Sequence, residues 1–280
     1  MWIGNEATDM RDIDFRAGRL PGRSILSVQG PEAGHFLNNL LTSDIDHLAE
    51  GQAGYAALLT PQGKILFDMI LLGQGDGYLI DCAASQRADL MKRLAMYKLR
   101  AKVEIAARDD LAVGVSPVEV PASYRDPRSA AIGWRTIGTP QGEAEGYDAA
   151  RIAAGLADSE ADLGSGEFFP HEANLDQLGG VNFRKGCYVG QEVVSRMEHR
   201  GLARSRILPV VLAGAAPPKG TDIRSGEKQV GTLLSSSGPN ALALIRLDRL
   251  AEATAPLLAD GVTVKVQKPG WAKYAVPGAA

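Results

Sequence analysis

The sequence predicts an α+β protein that ends in a small β-barrel. Its 280 residues exceed the size at which one hydrophobic core is usual, so more than one domain is expected. The first two hundred residues mix alternating apolar residues, typical of strands, with apolar residues at helical spacing. From Leu208 onward, short strand-like runs alternate with Gly/Pro turns. We therefore expect a body of two interleaved α+β subdomains over residues 1–205 and a barrel over residues 206–280.

The first half of the body is predicted to be a hairpin-rich sheet with two helices. The turn Thr60-Pro61-Gln62-Gly63-Lys64 joins two strands, because proline presets φ and glycine accepts positive φ. The predicted strands cover residues 24–28, 53–59, 65–72 and 78–82. The predicted helices cover residues 31–41 and 86–99, the second with Ser85 as its N-cap.

The second half of the body is predicted to contain strands near residues 103–105, 111–115 and 132–137. A helix from the capping residue Asp148 to residue 156 follows, then an irregular stretch over residues 164–178 and a short helix over 190–197. The boundary to the barrel is placed between residues 204 and 208. The predicted barrel strands cover residues 208–212, 230–235, 241–246 and 262–266.

Composition argues against several classes of protein. A net charge of -3 and an aromatic content of 6% disfavour direct nucleic-acid binding. The four histidines lack ligand spacing, so no metal site is predicted. No apolar run is long enough to span a membrane, and the acidic stretch before residue 23 does not resemble a targeting peptide. With only two cysteines and no disulfide framework, we expect a cytoplasmic protein.

Two basic stretches stand out against this acidic background. Each indicates either a solvated face or a site for an anionic group such as the tail of a ligand. The first comprises Arg87, Lys92, Arg93, Lys98, Arg100 and Lys102, and the second comprises Arg196, Arg200, Arg204 and Arg206.

The strongest candidate for chemistry is the KGCYVGQE segment, residues 185–192. Its Cys187 lies between glycines, just before a predicted helix, with Lys185 on the N-terminal side. A helix N-terminus and a nearby cation both favour the thiolate form of a cysteine. Physical chemistry alone leaves a second interpretation equally open, in which Cys187 is a small buried residue at a loop-to-helix junction.

The neighbours of Cys187 offer binding groups. Tyr188 has a flat apolar face with a polar tip. Gln191 and Glu192 fall in the first helical turn, where they could cap amides or accept hydrogen bonds from a ligand.

The KGCYVGQE segment resembles the characteristic octapeptide of the YgfZ-type folate-binding proteins, a family that includes mitochondrial iron–sulfur assembly factors. The approach PHEANLD, residues 170–176, fits the same family, as do FLNNLLTSD at residues 36–44 and LTPQGK at residues 59–64. The resemblance covers nearly the whole chain. It implies the fold of the wider superfamily, which includes the glycine-cleavage T-protein. That fold is a T-protein-like ring of three subdomains, with folate in a central channel, and here it would end in the C-terminal β-barrel.

The resemblance also implies a function. We expect a tetrahydrofolate-binding factor that assists the maturation or repair of iron–sulfur proteins, with Cys187 as its key reactive residue and iron–sulfur client or assembly proteins as partners. The implied folate-binding residues are Asp68, Arg151, Glu172, Lys185, Tyr188, Gln191, Glu192 and Arg196. Two alternatives remain open, a folate-dependent one-carbon transferase and a non-catalytic folate-binding scaffold. The T-protein carries an acidic pair where this chain has Phe67 and Asp68, which favours an accessory factor over a classical aminomethyltransferase.

Overall fold

The computed structural model describes residues 15–201 and 203–279, in which helices, antiparallel sheets and a closed C-terminal barrel occur as predicted. The strands are β1 (Gly18–Arg19), β2 (Arg23–Gln29), β3 (Ala53–Leu59), β4 (Ile65–Gln74), β5 (Gly77–Ala83), β6 (Glu104–Ala107), β7 (Ala112–Ser116), β8 (Tyr124–Arg125), β9 (Trp134–Gly138), β10 (Ser205–Leu212), β11 (Asp222–Ser225), β12 (Lys228–Ser237), β13 (Asn240–Arg246), β14 (Leu257–Ala259) and β15 (Val262–Val266). The α-helices are α1 (Ala33–Asn38), α2 (Arg87–Lys98), α3 (Tyr147–Ala153), α4 (Gln191–Arg200) and α5 (Leu247–Ala251).

A five-stranded antiparallel sheet forms the N-terminal part, in the order β3-β4-β5-β2-β6. Helices α1 and α2 cover one of its faces. Leu90 and Leu94 of α2, one helical turn apart, are fully buried there, and so is Leu37 of α1. Burial of these leucines, at about 1.5–3 kcal/mol each, accounts for the position of both helices against the sheet.

A smaller sheet in the order β1-β7-β9-β8 forms the second part of the body. The barrel closes in the order β10-β13-β12-β11-β14-β15. One hydrophobic core joins all three parts, because it contains Tyr55 of β3, Val115 of β7 and Leu242 of β13. The KGCYVGQE segment contributes Tyr188 to this shared core.

Two predicted helix caps were wrong. Ser85 lies in a 3-10 turn, Ala84–Gln86, and its hydroxyl donates to the carboxylate of Glu160 instead of capping α2. Asp148 lies inside α3, where its carboxylate accepts from Arg151, and Gly146 at φ +81° precedes the helix. Ser85 thus binds an acid distant from the helix start, and Asp148 binds an arginine one turn further along its own helix. The helix predicted over residues 31–41 is also shorter, since α1 ends at Asn38.

Within the described residues, every helix is too short or too polar to cross a membrane.

Candidate functional site

Cys187 lies in the loop that leads into α4, and its side chain is exposed. The other cysteine, Cys82, is buried in β5. Burial raises the pKa of the Cys82 thiol to about 11, so this group stays protonated at neutral pH. Cys187 is therefore the cysteine that a metal cluster or a partner protein could reach.

Lys185 anchors the loop that contains Cys187 to the C-terminal end of α1. Its ammonium donates to the backbone carbonyls of Asn38, Leu41 and Ser43, at 2.6, 2.8 and 2.8 Å. Burial lowers the pKa of Lys185 to about 8, against the opposing effect of Asp44 and Asp46. Three carbonyls use all three donors of an ammonium, so Lys185 acts as an anchor for the loop.

Replacing Lys185 with methionine is expected to loosen this loop. The change keeps an apolar stem but leaves three carbonyls without their donor, at a cost of about 1–3 kcal/mol. Urea unfolding should show the loss of stability, and amide hydrogen exchange should accelerate over residues 182–190. Arg184→Met is the matched control, because Arg184 is exposed and its side chain donates to no described residue. Equal stability to urea and equal hydrogen exchange in the two variants would contradict the anchoring role of Lys185.

Gly190 fixes the other end of the loop against the β3–β4 turn. It adopts φ +81°, and a Cβ at this position would lie 2.6 Å from the carbonyl oxygen of Thr60. Gly63 of the same turn adopts φ +79°, and its Cβ would lie 2.9 Å from the side chain of Val193. Both glycines are therefore required by close backbone packing as well as by φ. Two of the four motifs that carry the family resemblance, KGCYVGQE and LTPQGK, meet at this contact.

The remaining candidate binding residues of the KGCYVGQE segment and α4 differ in burial and in their contacts. Tyr188 is buried, its ring centroid is 5.6 Å from the Lys185 ammonium, and its hydroxyl has no hydrogen-bond partner among the described residues. Burial raises the pKa of Tyr188 to about 12. Gln191 is half-buried, whereas Glu192 and Arg196 form an exposed ion pair, one helical turn apart on α4.

A second polar region lies at the centre of the body and surrounds Arg135, which is 1% exposed. Arg135 donates to Asp81 at 2.5 Å and to Asp126 at 3.0 Å. Arg23 also binds Asp81, at 2.6 Å, and Arg128 binds Asp126, at 2.9 Å. Such buried charges are tolerated only because each has an opposite partner. We call these five residues the central charge network.

The central charge network predicts a pH dependence of stability. Burial would raise the pKa of Asp126, but Arg128 and Arg135 outweigh it and lower the pKa from 3.8 to about 2. A carboxyl with a lower pKa in the folded state stabilises fully above its unfolded pKa, and loses this stabilisation as pH falls from about 4 to about 2. Asp126→Asn should therefore flatten the acid-unfolding profile, measured by circular dichroism.

Asp248→Asn is the control for this experiment. Asp248 also forms an ion pair, accepting from Arg246 at 2.6 Å, but this pair is exposed to solvent. Its removal should leave the profile nearly unchanged, because solvent screens an exposed pair. A wild-type profile in Asp126→Asn would contradict the role of the network.

A cavity of about 410 Å³ opens beside the central charge network. It is lined by Arg23, Arg128, Arg135 and Arg151, by Tyr147, and by the acids Glu143, Asp148, Asp158 and Glu160. Each of the four arginines has a carboxylate partner, including Asp162 at 2.9 Å from Arg151. The lining therefore offers no unpaired positive charge.

Asp68 does not line this cavity but is linked to its lining residue Arg128 through Tyr55. Its carboxylate is buried and accepts from the Tyr55 hydroxyl at 3.0 Å, and the Arg128 guanidinium lies 5.8 Å from the Tyr55 ring. Burial and the adjacent Asp68 raise the pKa of Tyr55 well above its usual range. Phe67, next to Asp68, packs in the apolar core on the other face of the sheet.

The structure divides the eight predicted folate-binding residues among three places. Asp68 and Arg151 belong to the central region. Lys185, Tyr188, Gln191, Glu192 and Arg196 belong to the KGCYVGQE segment and α4. Glu172 uses its carboxylate to accept from the Phe169 amide, at 2.9 Å, and its carbonyl to accept from the barrel residue Ile207.

Sequence reasoning missed most of the central region. Tyr55, Asp81, Asp126, Arg128 and Arg135 come from three different strands and a loop, so no local motif joins them. One signal was available: Asp81 interrupts an apolar strand, and a buried carboxylate needs a partner.

His171, Asp176 and Glu198 place potential ligand atoms within 4.8 Å of one another. The arrangement disfavours a cation, because both carboxylate oxygens of Asp176 already accept from Arg206, at 2.6 and 3.0 Å. The His171 ring instead forms a hydrogen bond with Glu198 at 3.1 Å.

Comparison with known proteins identifies the family. The GCVT N-terminal domain model matches residues 24–116, and the CAF17, C-terminal beta-barrel domain model matches residues 204–274. The human protein named "Iron-sulfur cluster assembly factor IBA57, mitochondrial" is 33% identical over 83% of this chain and 78% of its own length. The chain belongs to the IBA57-type iron–sulfur cluster assembly factor family. A homologue of this factor from Pyricularia oryzae is 32% identical over 85% of this chain and 73% of its own length.

The fold is that of the aminomethyltransferase superfamily. The glycine cleavage system aminomethyltransferase T from Bartonella henselae superposes with a TM-score of 0.74 at 14% identity, over 92% of this chain and 86% of that protein. The predicted T-protein-like fold with its C-terminal barrel is thereby confirmed.

The expected cytoplasmic location was wrong, because the IBA57-type relatives are named as mitochondrial proteins. A small number of cysteines indicates a reducing environment but does not distinguish between reducing compartments.

Proposed function

We propose that this protein assists the assembly of iron–sulfur clusters and that Cys187 is its reactive group. The observation that carries the proposal is an exposed thiol on a loop that Lys185 and Gly190 hold at both ends. The named relatives, similar over most of the chain, are iron–sulfur cluster assembly factors. One thiol is too few to hold a cluster alone, so Cys187 supplies one ligand while a partner protein supplies the others.

Complementation tests this function. The wild-type chain is expressed, with the targeting sequence the host requires, in cells that lack their own factor of this family. We expect the activity of aconitase, which needs a [4Fe–4S] cluster, to recover, while that of citrate synthase, which has no cluster, stays constant. Unchanged aconitase activity in cells that accumulate the folded protein would overturn the proposal.

Tetrahydrofolate is the cofactor we propose for the central cavity. Its volume falls within the roughly 300–1,000 Å³ typical of small-molecule sites. Tyr147 in the lining supplies aromatic surface for a pterin. Asp68 does not line the cavity, but its buried carboxylate is linked to the lining through Tyr55 and Arg128 and can accept hydrogen bonds from the N–H groups of a pterin that reaches it. When bound, tetrahydrofolate supplies a carrier for one-carbon units. The anionic tail fits the lining less well, because the lining arginines are already paired and four acids also line the cavity.

Asp68→Asn and Tyr55→Phe are expected to weaken tetrahydrofolate binding by about tenfold each, since each removes part of a hydrogen-bonded carboxylate site. Anaerobic isothermal titration calorimetry measures the affinity, and thermal unfolding confirms that the variants fold. Arg196→Ala should bind like wild type, because Arg196 is exposed on α4 and paired with Glu192. Weakened binding in Arg196→Ala with no effect of the other two would instead assign the folate to the KGCYVGQE segment.

A further inference from the structure

The C-terminal end of α2 carries positive charge without counter-charge. Residues 92–102 contain five basic residues and no acidic one. Among the described residues, none of these five side chains has an ion-pair partner, whereas Arg87 at the start of α2 pairs with Asp109 at 2.7 Å. The five are Lys92, Arg93, Lys98, Arg100 and Lys102.

Two large apolar side chains lie within this basic surface. Met96 is 62% exposed and Leu99 is 88% exposed. Leu99 also adopts φ +43°, a left-handed conformation that is strained for a residue with a branched side chain. Because the Leu99 side chain is exposed, no hydrophobic burial within this chain offsets the strain of its backbone. Its position indicates a contact outside the chain.

A groove of about 190 Å³ opens beside Tyr97, between α1 and the end of α2. Its apolar floor is formed by Phe36, Leu40, Tyr97 and Ala101. One acid, Glu32, lies at its edge, and its carboxylate accepts from the backbone amide of Lys102 at 2.8 Å. An apolar groove with a basic border fits an acidic chain segment that inserts an apolar side chain.

We propose that this α1–α2 groove and its basic border dock an acidic segment of a protein that exchanges iron–sulfur clusters with Cys187. A membrane surface fits less well, because a planar surface leaves a groove unfilled. The groove is also next to the reactive loop. Asn39 and Leu40 line it, and the adjoining carbonyls of Asn38 and Leu41 hold Lys185, two residues from Cys187.

The assignment of the partner as an iron–sulfur protein rests on the proposed function, whereas the docking surface is tested on its own. The probe is a fluorescein-labelled peptide of about twelve residues, in which Leu-Phe is flanked on both sides by Asp and Glu. Fluorescence anisotropy at low salt measures its affinity for the full-length protein. We expect saturable binding that weakens as salt is added.

Two variants test separately how charge and the apolar contact contribute to peptide binding. The charge-reversal double variant Lys98→Glu/Arg100→Glu should weaken binding by at least about tenfold, because like charges then face the peptide. Leu99→Gly should weaken it by about threefold or more while leaving the thermal midpoint equal or higher, because glycine relieves the strained φ. The matched control is Lys265→Glu/Lys268→Glu on the barrel, where both side chains are exposed, and it should bind the peptide like wild type.

Three results would overturn the proposed groove. They are no peptide binding by the wild type, an equal loss of binding in the barrel control, and preferential binding of the wild type to phosphatidylcholine vesicles that contain phosphatidylserine. Cys187→Ser should bind the peptide like wild type, because the groove does not include the thiol. Peptide binding that persists when complementation fails would overturn the proposed function and leave the docking surface in place.

Discussion

Replacing Cys187 with serine is expected to reduce the aconitase activity of complemented cells to that of cells without the protein. The change is nearly isosteric and affects an exposed side chain, so stability should change by no more than about 0.5 kcal/mol. A serine hydroxyl does not ionise at neutral pH and cannot replace a thiolate as a ligand to iron. A loss of aconitase activity would therefore show that the thiol of Cys187 is required, and would not be an effect of lower stability.

Cys82→Ala is the matched control for this experiment. Cys82 is 1% exposed in β5, so its removal leaves a small cavity and costs about 1 kcal/mol. Aconitase activity should nevertheless recover, because the buried thiol cannot reach a cluster. Full activity of Cys187→Ser would contradict the proposed role and favour a scaffold in which the thiol takes no part.

Replacing Asp81 with asparagine is expected to have the largest effect on stability. Asp81 is completely buried and binds Arg23 and Arg135, at 2.6 and 2.5 Å. Asparagine keeps the shape but removes the negative charge, which leaves an excess of buried guanidinium charge. Removal of one partner of a buried ion pair costs about 3–5 kcal/mol. Urea unfolding should show a lower midpoint with little change in its slope.

Glu192→Gln is the control for Asp81→Asn. Glu192 pairs with Arg196 at 2.6 Å, but both side chains are exposed, at 83% and 57%. Such a pair is screened by water and contributes at most about 0.5 kcal/mol. Comparable destabilisation by the two variants would show that the central charge network does not hold the two sheets of the body together.

The sequence predicted the strands of the body and barrel well where apolar residues alternate and a turn follows. The hairpin of β3 and β4 is an example, because Pro61 and Gly63 specify its turn. It predicted helix starts poorly, since Ser85 binds Glu160 far along the chain and Asp148 binds Arg151 one helical turn later. The short strands β11 and β14 were missed, because three or four residues between turns carry too little periodicity.

The candidate site was also predicted only in part from the sequence. The loop around Cys187 is continuous in sequence, so its motif and the need for glycine at position 190 were visible. The anchoring role of Lys185 was not, because its three acceptors lie more than one hundred residues earlier. The central charge network depends on the sheet topology, which brings Asp81 and Arg135 together from separate strands.

Reactivation of aconitase in a cell extract tests the central claim most directly. Purified wild-type protein is added under anaerobic conditions to an extract of cells that lack their own factor, and the initial rate of aconitase reactivation is measured. Our account predicts that the wild type raises this rate in proportion to its concentration, whereas Cys187→Ser leaves it at the level of the untreated extract. An unchanged rate with the wild type, or an equal rise with Cys187→Ser, would contradict a direct role of this thiol in cluster assembly.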